Sequence, residues 1–320
     1  MGVDDSPSAA RLAGEFHLTV VAAWATLALV PKLDDIPLYP GAVAHMTEVA
    51  GMGRSTRGLC NSLRHLLYLA VMAVAWHGAA RGQSPADVQA ARETELPGLR
   101  LVGVRDVDYH LGTLGIRIGY VEQDVRPGSG HYFCGALTLD RSATAAEPVA
   151  AALTRLPYLS VRKLGLRYVI LCGGAKAGDR PIGGIPVPPL DLLMLDVGAS
   201  GNAAFLQAVT LHELYHMAEI RFNTLYDADW GREFTGYSNG YAPDLLKGAM
   251  GSGKPGFLNA YAETFPHEDR AELFAALLLK PGDVLTQIRA TRDSVLRRKV
   301  LYVDQKSERL LALKLAPDGL

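Results

Sequence analysis

The run His212-Glu213-Leu214-Tyr215-His216 constrains this chain more than any other feature of its sequence. Two imidazoles four positions apart reach a common point when the backbone between them is α-helical, because i and i+4 lie on one helix face. The surrounding residues 203–222 have the matching periodicity, with Leu211, Leu214, Ala218 and Phe222 on one stripe. Paired neutral imidazole nitrogens suit zinc, which tolerates an open fourth position for water. A carboxylate directly after the first histidine, here Glu213, projects beside such an ion and can accept a proton from water there.

Such a site needs a third protein ligand. The version of the motif with a third histidine six residues on is excluded, because that position is Phe222. A glutamate on a second helix remains. The stretch from Tyr261 to Glu272 supplies candidates where a helix is expected to begin, with Pro266 at a first helical position and Pro281-Gly282 stopping it after Lys280. Glu268 and Glu272 are four apart, so both can face the HExxH helix. His267 is a further candidate, although its direction differs from that of Glu268 by about 100°. Glu219, three residues after His216, either supports a ligand histidine or belongs to a solvated face.

Around these helices the chain alternates strand-like and helix-like segments. Residues 99–104, 114–121, 132–139 and Leu166–Cys172 read as strands, and 145–162 as a helix. Gly173–Gly184 is turn-rich, and the prolines 186, 188 and 189 lead into a strand at Leu190–Val197. Prolines at its start suit an edge strand. Residues 224–258 resemble a long loop region with short helices, and helices over about 283–291 and 293–313 close the chain. The expected fold class is α+β, a small mixed sheet packed on helices.

Length and charge narrow the function classes. With 320 residues, 49% of them hydrophobic, the chain can bury a proper core, and a formal net charge of −1 gives no reason to expect nucleic acid or an anionic membrane as partner. The basic group Arg289, Arg292, Arg297, Arg298 and Lys299 is interrupted by acids and reads as a solvated helix face. Residues 1–80 read as a leader. Arg54, Arg57 and Arg64, a short apolar run at Leu66–Trp76 and small residues at 78–80 follow the order of a secretory signal peptide over about 52–80, with translation expected to start near Met52. That predicts a secreted or extracytoplasmic domain at 81–320 with no stable membrane anchor once the leader is removed. Cys134 and Cys172 would then remain, either as a disulfide or as two buried thiols.

HELYH, then Tyr261, Glu268 seven residues later and Ala271-Glu272 resemble the catalytic domain of the anthrax lethal factor family and the related Pro-Pro endopeptidases. The resemblance covers roughly residues 205–280, and Trp230, Phe234 and Gly256-Phe257 resemble that family's loop into the glutamate helix. It implies a zincin-like metallopeptidase domain, with its catalytic core at about 160–282. One Zn2+ per chain would sit on His212, His216 and Glu268. Glu213 would be the base, Tyr261 would assist the oxyanion (Tyr237 and Tyr241 compete for that role), and Glu272 would stand behind the ligands. A peptide or protein substrate would bind as an added strand, expected against 190–197. The alternatives are a catalytically inactive zinc-binding or peptide-binding protein of the same fold, and a membrane-anchored non-enzymatic protein. The intact Glu213 argues against a purely structural metal site.

Overall fold

The computed structural model describes residues 96–103, 108–127, 130–198, 202–238, 240, 251 and 253–316; the leader region and Tyr241 lie outside them. In chain order the first half comprises β1 (Leu99–Val102), α1 (Asp108–Leu114), β2 (Arg117–Val121), β3 (Tyr132–Cys134), α2 (Leu139–Leu153) and α3 (Tyr158–Leu164). Then come β4 (Tyr168–Cys172), β5 (Ala175–Ala177), β6 (Arg180–Pro181), β7 (Gly184–Val187) and β8 (Leu192–Asp196). The helical half is α4 (Ala203–Arg221), α5 (Ala228–Glu233), α6 (Pro266–Leu279), α7 (Pro281–Thr291) and α8 (Ser294–Leu311).

The α+β class expected from the sequence is the one observed. A five-stranded sheet runs in the order β1-β2-β4-β8-β7, and β3, β5 and β6 form a second, three-stranded sheet. The centre of the large sheet is parallel, β2 on β4 and β4 on β8, whereas β1 and β7 run antiparallel at its two edges. The central strands are nearly continuous apolar runs because both of their faces are covered. Val169, Leu171, Leu193 and Leu195 point to a core shared with Val149 and Leu153 of α2 and with Leu211 and Leu214 of α4. Their neighbours Ile170, Cys172, Leu192 and Met194 point the other way, joining Val125, Cys134, Ala175 and Ile185. That second face is closed by the small sheet, and a disulfide between Cys134 and Cys172 bonds the two sheets together. Closing a loop across a sequence separation of 38 restrains the unfolded chain by about 4 kcal/mol.

Several expected boundaries move, each for a local reason. The helix expected at 145–162 is two helices, since Pro157 has no N–H to donate and disfavours helical backbone before it. The strand expected at 114–121 begins only at Arg117, after α1 and the left-handed Gly115. The strand expected at Leu190–Val197 is present as β8, but it is internal. The edge is β7, which starts at the end of the turn-rich stretch and carries Pro186, while Pro188–Leu190 form a 3-10 turn between the two strands. Among the described residues no helix is long and apolar enough to cross a membrane.

Two packing relations position the site. The HExxH helix α4 runs against the edge strand, where Gly183 faces Val209 and Phe205 and Gly184 faces Glu213. Helix α6 packs on α4, with Tyr215 and Phe274 ring centroids 4.8 Å apart. Pro266 opens α6 at its first helical position, as expected.

Candidate metal centre

Helix α4 is buried on every side from Thr210 to Glu219, so its polar residues in that stretch are buried with it. His212, Glu213 and His216 are 5%, 8% and 8% exposed and Glu219 only 1%, which rules out a solvated face for Glu219. Across the helix pair, the first turns of α6 deliver Glu268, also buried.

Three donor atoms converge. Glu268 Oε2 lies 2.9 Å from His212 Nε2 and 3.3 Å from His216 Nε2, and the two Nε2 atoms are 3.0 Å apart. A tetrahedral ion with bonds of about 2.0–2.1 Å separates its ligand atoms by roughly 3.3 Å, so a small rearrangement fits one zinc among them. The other imidazole nitrogens face carboxylates. Glu219 Oε2 is 3.0 Å from His216 Nδ1, and Glu272 Oε1 is 2.9 Å from His212 Nδ1. With its Nδ1–H directed at Glu219, the His216 ring turns its Nε2 lone pair toward the shared point; Glu272 lies close to His212 Nδ1 without the alignment of a hydrogen bond. His212, His216 and Glu268 are therefore residues that could hold a metal ion.

The electrostatics ask for a cation. Glu213, Glu219, Glu268 and Glu272 surround two imidazoles, and Arg270 is the guanidinium among them. Burial alone would lower the histidines, but Glu219 and Glu268 outweigh it and lift His216 to about 9. Burial would likewise raise Glu268, yet hydrogen bonds from His212, His216 and His267 hold it well below the usual carboxylate range. Both shifts state that positive charge between these groups is favoured. Glu213 is pushed the other way, above its usual range, chiefly by burial, with the two histidines opposing.

Of the remaining expected residues, Tyr261 stands beside the centre, its ring 5.8 Å from that of His212. Tyr237 does not compete for that place, because its hydroxyl donates to Asp269 at 2.8 Å and accepts from Trp230 Nε1 at 2.7 Å. His267 stacks on Phe265, with Nε2 3.5 Å from Glu268 Oε1, the carboxylate oxygen turned away from the two Nε2 atoms. Lys299, expected on a solvated face, is a correction. It is buried against Phe257 and donates to Asp269, while Arg289, Arg292, Arg297 and Arg298 are exposed.

Sequence reasoning missed two residues, Asn259 and Arg270. Asn259 Oδ1 accepts from the Ala262 N–H at 2.8 Å, shaping the turn that carries Tyr261, while its Nδ2 donates to Glu272 at 2.6 Å. The signal that could have found it is local, since an Asn two residues before a candidate tyrosine is a turn former. Arg270 offered no such signal.

No family model and no curated protein matches the chain. A solved structure similar to it is that of a "putative zinc-binding metallo-peptidase from Bacteroides caccae ATCC 43185". That likeness has a TM-score of 0.43 and 14% identity, and covers 73% of this chain and 90% of the other.

Proposed function

We propose that this chain is a zinc-dependent peptidase of the gluzincin type, similar to the lethal factor and Pro-Pro endopeptidase group, with His212, His216 and Glu268 holding the metal. The observation that carries this is the convergence of His212 Nε2, His216 Nε2 and Glu268 Oε2, all within 4.8 Å of one another inside a buried shell of carboxylates. Glu213 is held beside those ligands and against the edge strand, a position with no structural need for a base.

A zinc ion held by His212, His216 and Glu268 would supply Lewis acidity and lower the pKa of water at the site. Glu213 takes the proton of the attacking water onto its carboxylate and delivers it to the leaving amine nitrogen. Tyr261 donates a hydrogen bond to the oxygen on which negative charge develops. Substrate lies extended along β7, pairing its backbone with the open side of that strand. An extracytoplasmic location, expected from the leader pattern, suits a chain with the Cys134–Cys172 disulfide.

The test is the metal content of the purified protein beside His216→Ala and Glu268→Ala, followed by cleavage of a peptide library. The parent is expected to carry about one zinc per chain, and each variant a small fraction of that. A parent without zinc sinks the reading, and a fully loaded Glu268→Ala moves the third ligand elsewhere.

A second expectation isolates the edge strand. A Cβ on Gly184 would lie 2.7 Å from Glu213 Cγ and 3.1 Å from the Met194 carbonyl oxygen. The backbone oxygen cannot yield, so Gly184→Ala displaces either β7 or the base. Hydrolysis should fall on the order of 10²-fold, the scale for a misplacement of about 1 Å, with zinc content unchanged. Parental activity in Gly184→Ala would mean that Glu213 tolerates displacement and is not the positioned base.

A further inference from the structure

Resting on the zinc reading above, we infer that Arg270 is a positioning residue for the metal: its guanidinium fixes the Glu219 carboxylate that orients His216.

The chain of contacts is short and closed to water. Glu219 presents one oxygen to each neighbour, Oε2 to His216 Nδ1 at 3.0 Å and Oε1 to Arg270 Nε at 2.5 Å. Both the Glu219 and Arg270 side chains are 1% exposed. A buried carboxylate accepting only from an imidazole would be costly to keep ionised, and it would be free to rotate about its last torsion. The Arg270 fork removes both problems. Nε holds the carboxylate, and the same guanidinium donates from one terminal nitrogen to the Leu225 carbonyl at 2.8 Å, so its own position is fixed by the segment after α4. The plane is further seated 5.5 Å from the Trp230 ring.

The placement in sequence gives this contact its consequence. Arg270 is two residues after Glu268 and two before Glu272. One short stretch of α6 thus supplies the metal-facing carboxylate (Glu268), the carboxylate behind His212 (Glu272), and, through Glu219, the support behind His216. The same turn and a half of α6 therefore carries the Glu268 donor and, through Glu219, orients the His216 donor, so a shift of that segment moves both. The planar fork matters as well as the charge. A lysine ammonium could reach Glu219 but could not hold the carboxylate and the Leu225 carbonyl in one rigid plane.

The experiment measures zinc affinity by competition with a chromogenic chelator, together with thermal unfolding of the metal-free protein. It compares the parent with Arg270→Met, Arg270→Lys, Glu219→Gln and the Glu219→Gln/Arg270→Met double variant. A positioning role lowers zinc affinity by about 10–100-fold in Arg270→Met and in Glu219→Gln, the range for losing a support behind a ligand. Arg270→Lys should fall in between. The double variant has no buried unpaired charge and so keeps a measurable fold even if Arg270→Met does not. It should bind zinc no more weakly than Glu219→Gln alone, because both changes break one path. Parental affinity in the folded double variant overturns the inference and leaves Arg270 a stabilising residue only. Independent, multiplying losses overturn it as well, since Arg270 would then act other than through Glu219. A parent that binds no zinc overturns instead the reading on which the inference rests.

Discussion

In the Glu213→Gln variant, peptide hydrolysis is expected to fall by about 10²–10⁴-fold while zinc remains near one per chain. The side chain is 8% exposed and packed so closely on β7 that a Cβ on Gly184 would meet its Cγ at 2.7 Å. Glutamine has the same shape, so this packing survives, but its amide cannot accept the proton. The loss should appear in kcat with little change in KM, because the group acts on the reacting water and not on substrate binding. Zinc content measured on the same samples separates the two ways of failing. Retained hydrolysis would remove Glu213 as the base, with Glu272, the most exposed of the four carboxylates, next to be tested. Lost zinc would make Glu213 part of the metal's support.

What could be read from the sequence was whatever repeats over a few residues. The HExxH helix and the glutamate helix that begins at Pro266 are periodic or capped locally, and both lie within a residue or two of where the pattern put them. The apolar runs of β4 and β8 marked buried strands for the same reason. Edge against centre is a different kind of fact. It depends on which strand pairs with which, and β7 could not be distinguished from the glycine- and proline-rich turn that precedes it. Prolines 186, 188 and 189 pointed to an edge at 190–197, but the edge is the preceding strand, which carries Pro186 itself.

The convergence of His212, His216 and Glu268 was legible for the opposite reason: these residue types carry chemistry whatever their neighbours. Its supports were not. Arg270 and Glu219 are 51 residues apart, and Lys299 and Asp269 are 30 apart. Nothing in the composition of either segment says that a cation will be buried on an anion from another helix. Lys299 shares its stretch with four arginines that are solvated, so pattern alone assigned it to their face.

Replacing Lys299 by methionine is expected to cost about 3–5 kcal/mol of stability, the scale for removing one member of a buried ion pair. The ammonium lies 2.6 Å from Asp269 Oδ2 and 2.7 Å from the Gly256 carbonyl oxygen, 3.6 Å above the Phe257 ring, in a pair whose side chains are 1% and 0% exposed. Methionine keeps most of the stem's volume but leaves the carboxylate with only the Tyr237 hydroxyl from its former partners. At about 2–4 °C per kcal/mol for a domain of this size, the unfolding midpoint followed by circular dichroism should drop by roughly 6–20 °C. The sign of the pH dependence follows from the anion left behind. Burial pushes Asp269 up to about 6 even with Lys299 pulling it down, so without the lysine its folded-state value rises further. A carboxyl raised in the folded state loses stability as pH climbs from its unfolded value through the folded one. The deficit of the variant should therefore be smaller at pH 5 than at pH 8, and Asp269→Asn added to Lys299→Met should recover part of it at pH 8. A deficit below about 1 kcal/mol, or one independent of pH, would show that water reaches the pair. The effect extends to the candidate metal centre through the backbone. Lys299 holds Gly256 three residues before Asn259, and Asn259 holds both the turn carrying Tyr261 and the Glu272 carboxylate behind His212. Folded Lys299→Met should consequently bind zinc more weakly than the parent, although Lys299 touches none of the three donors.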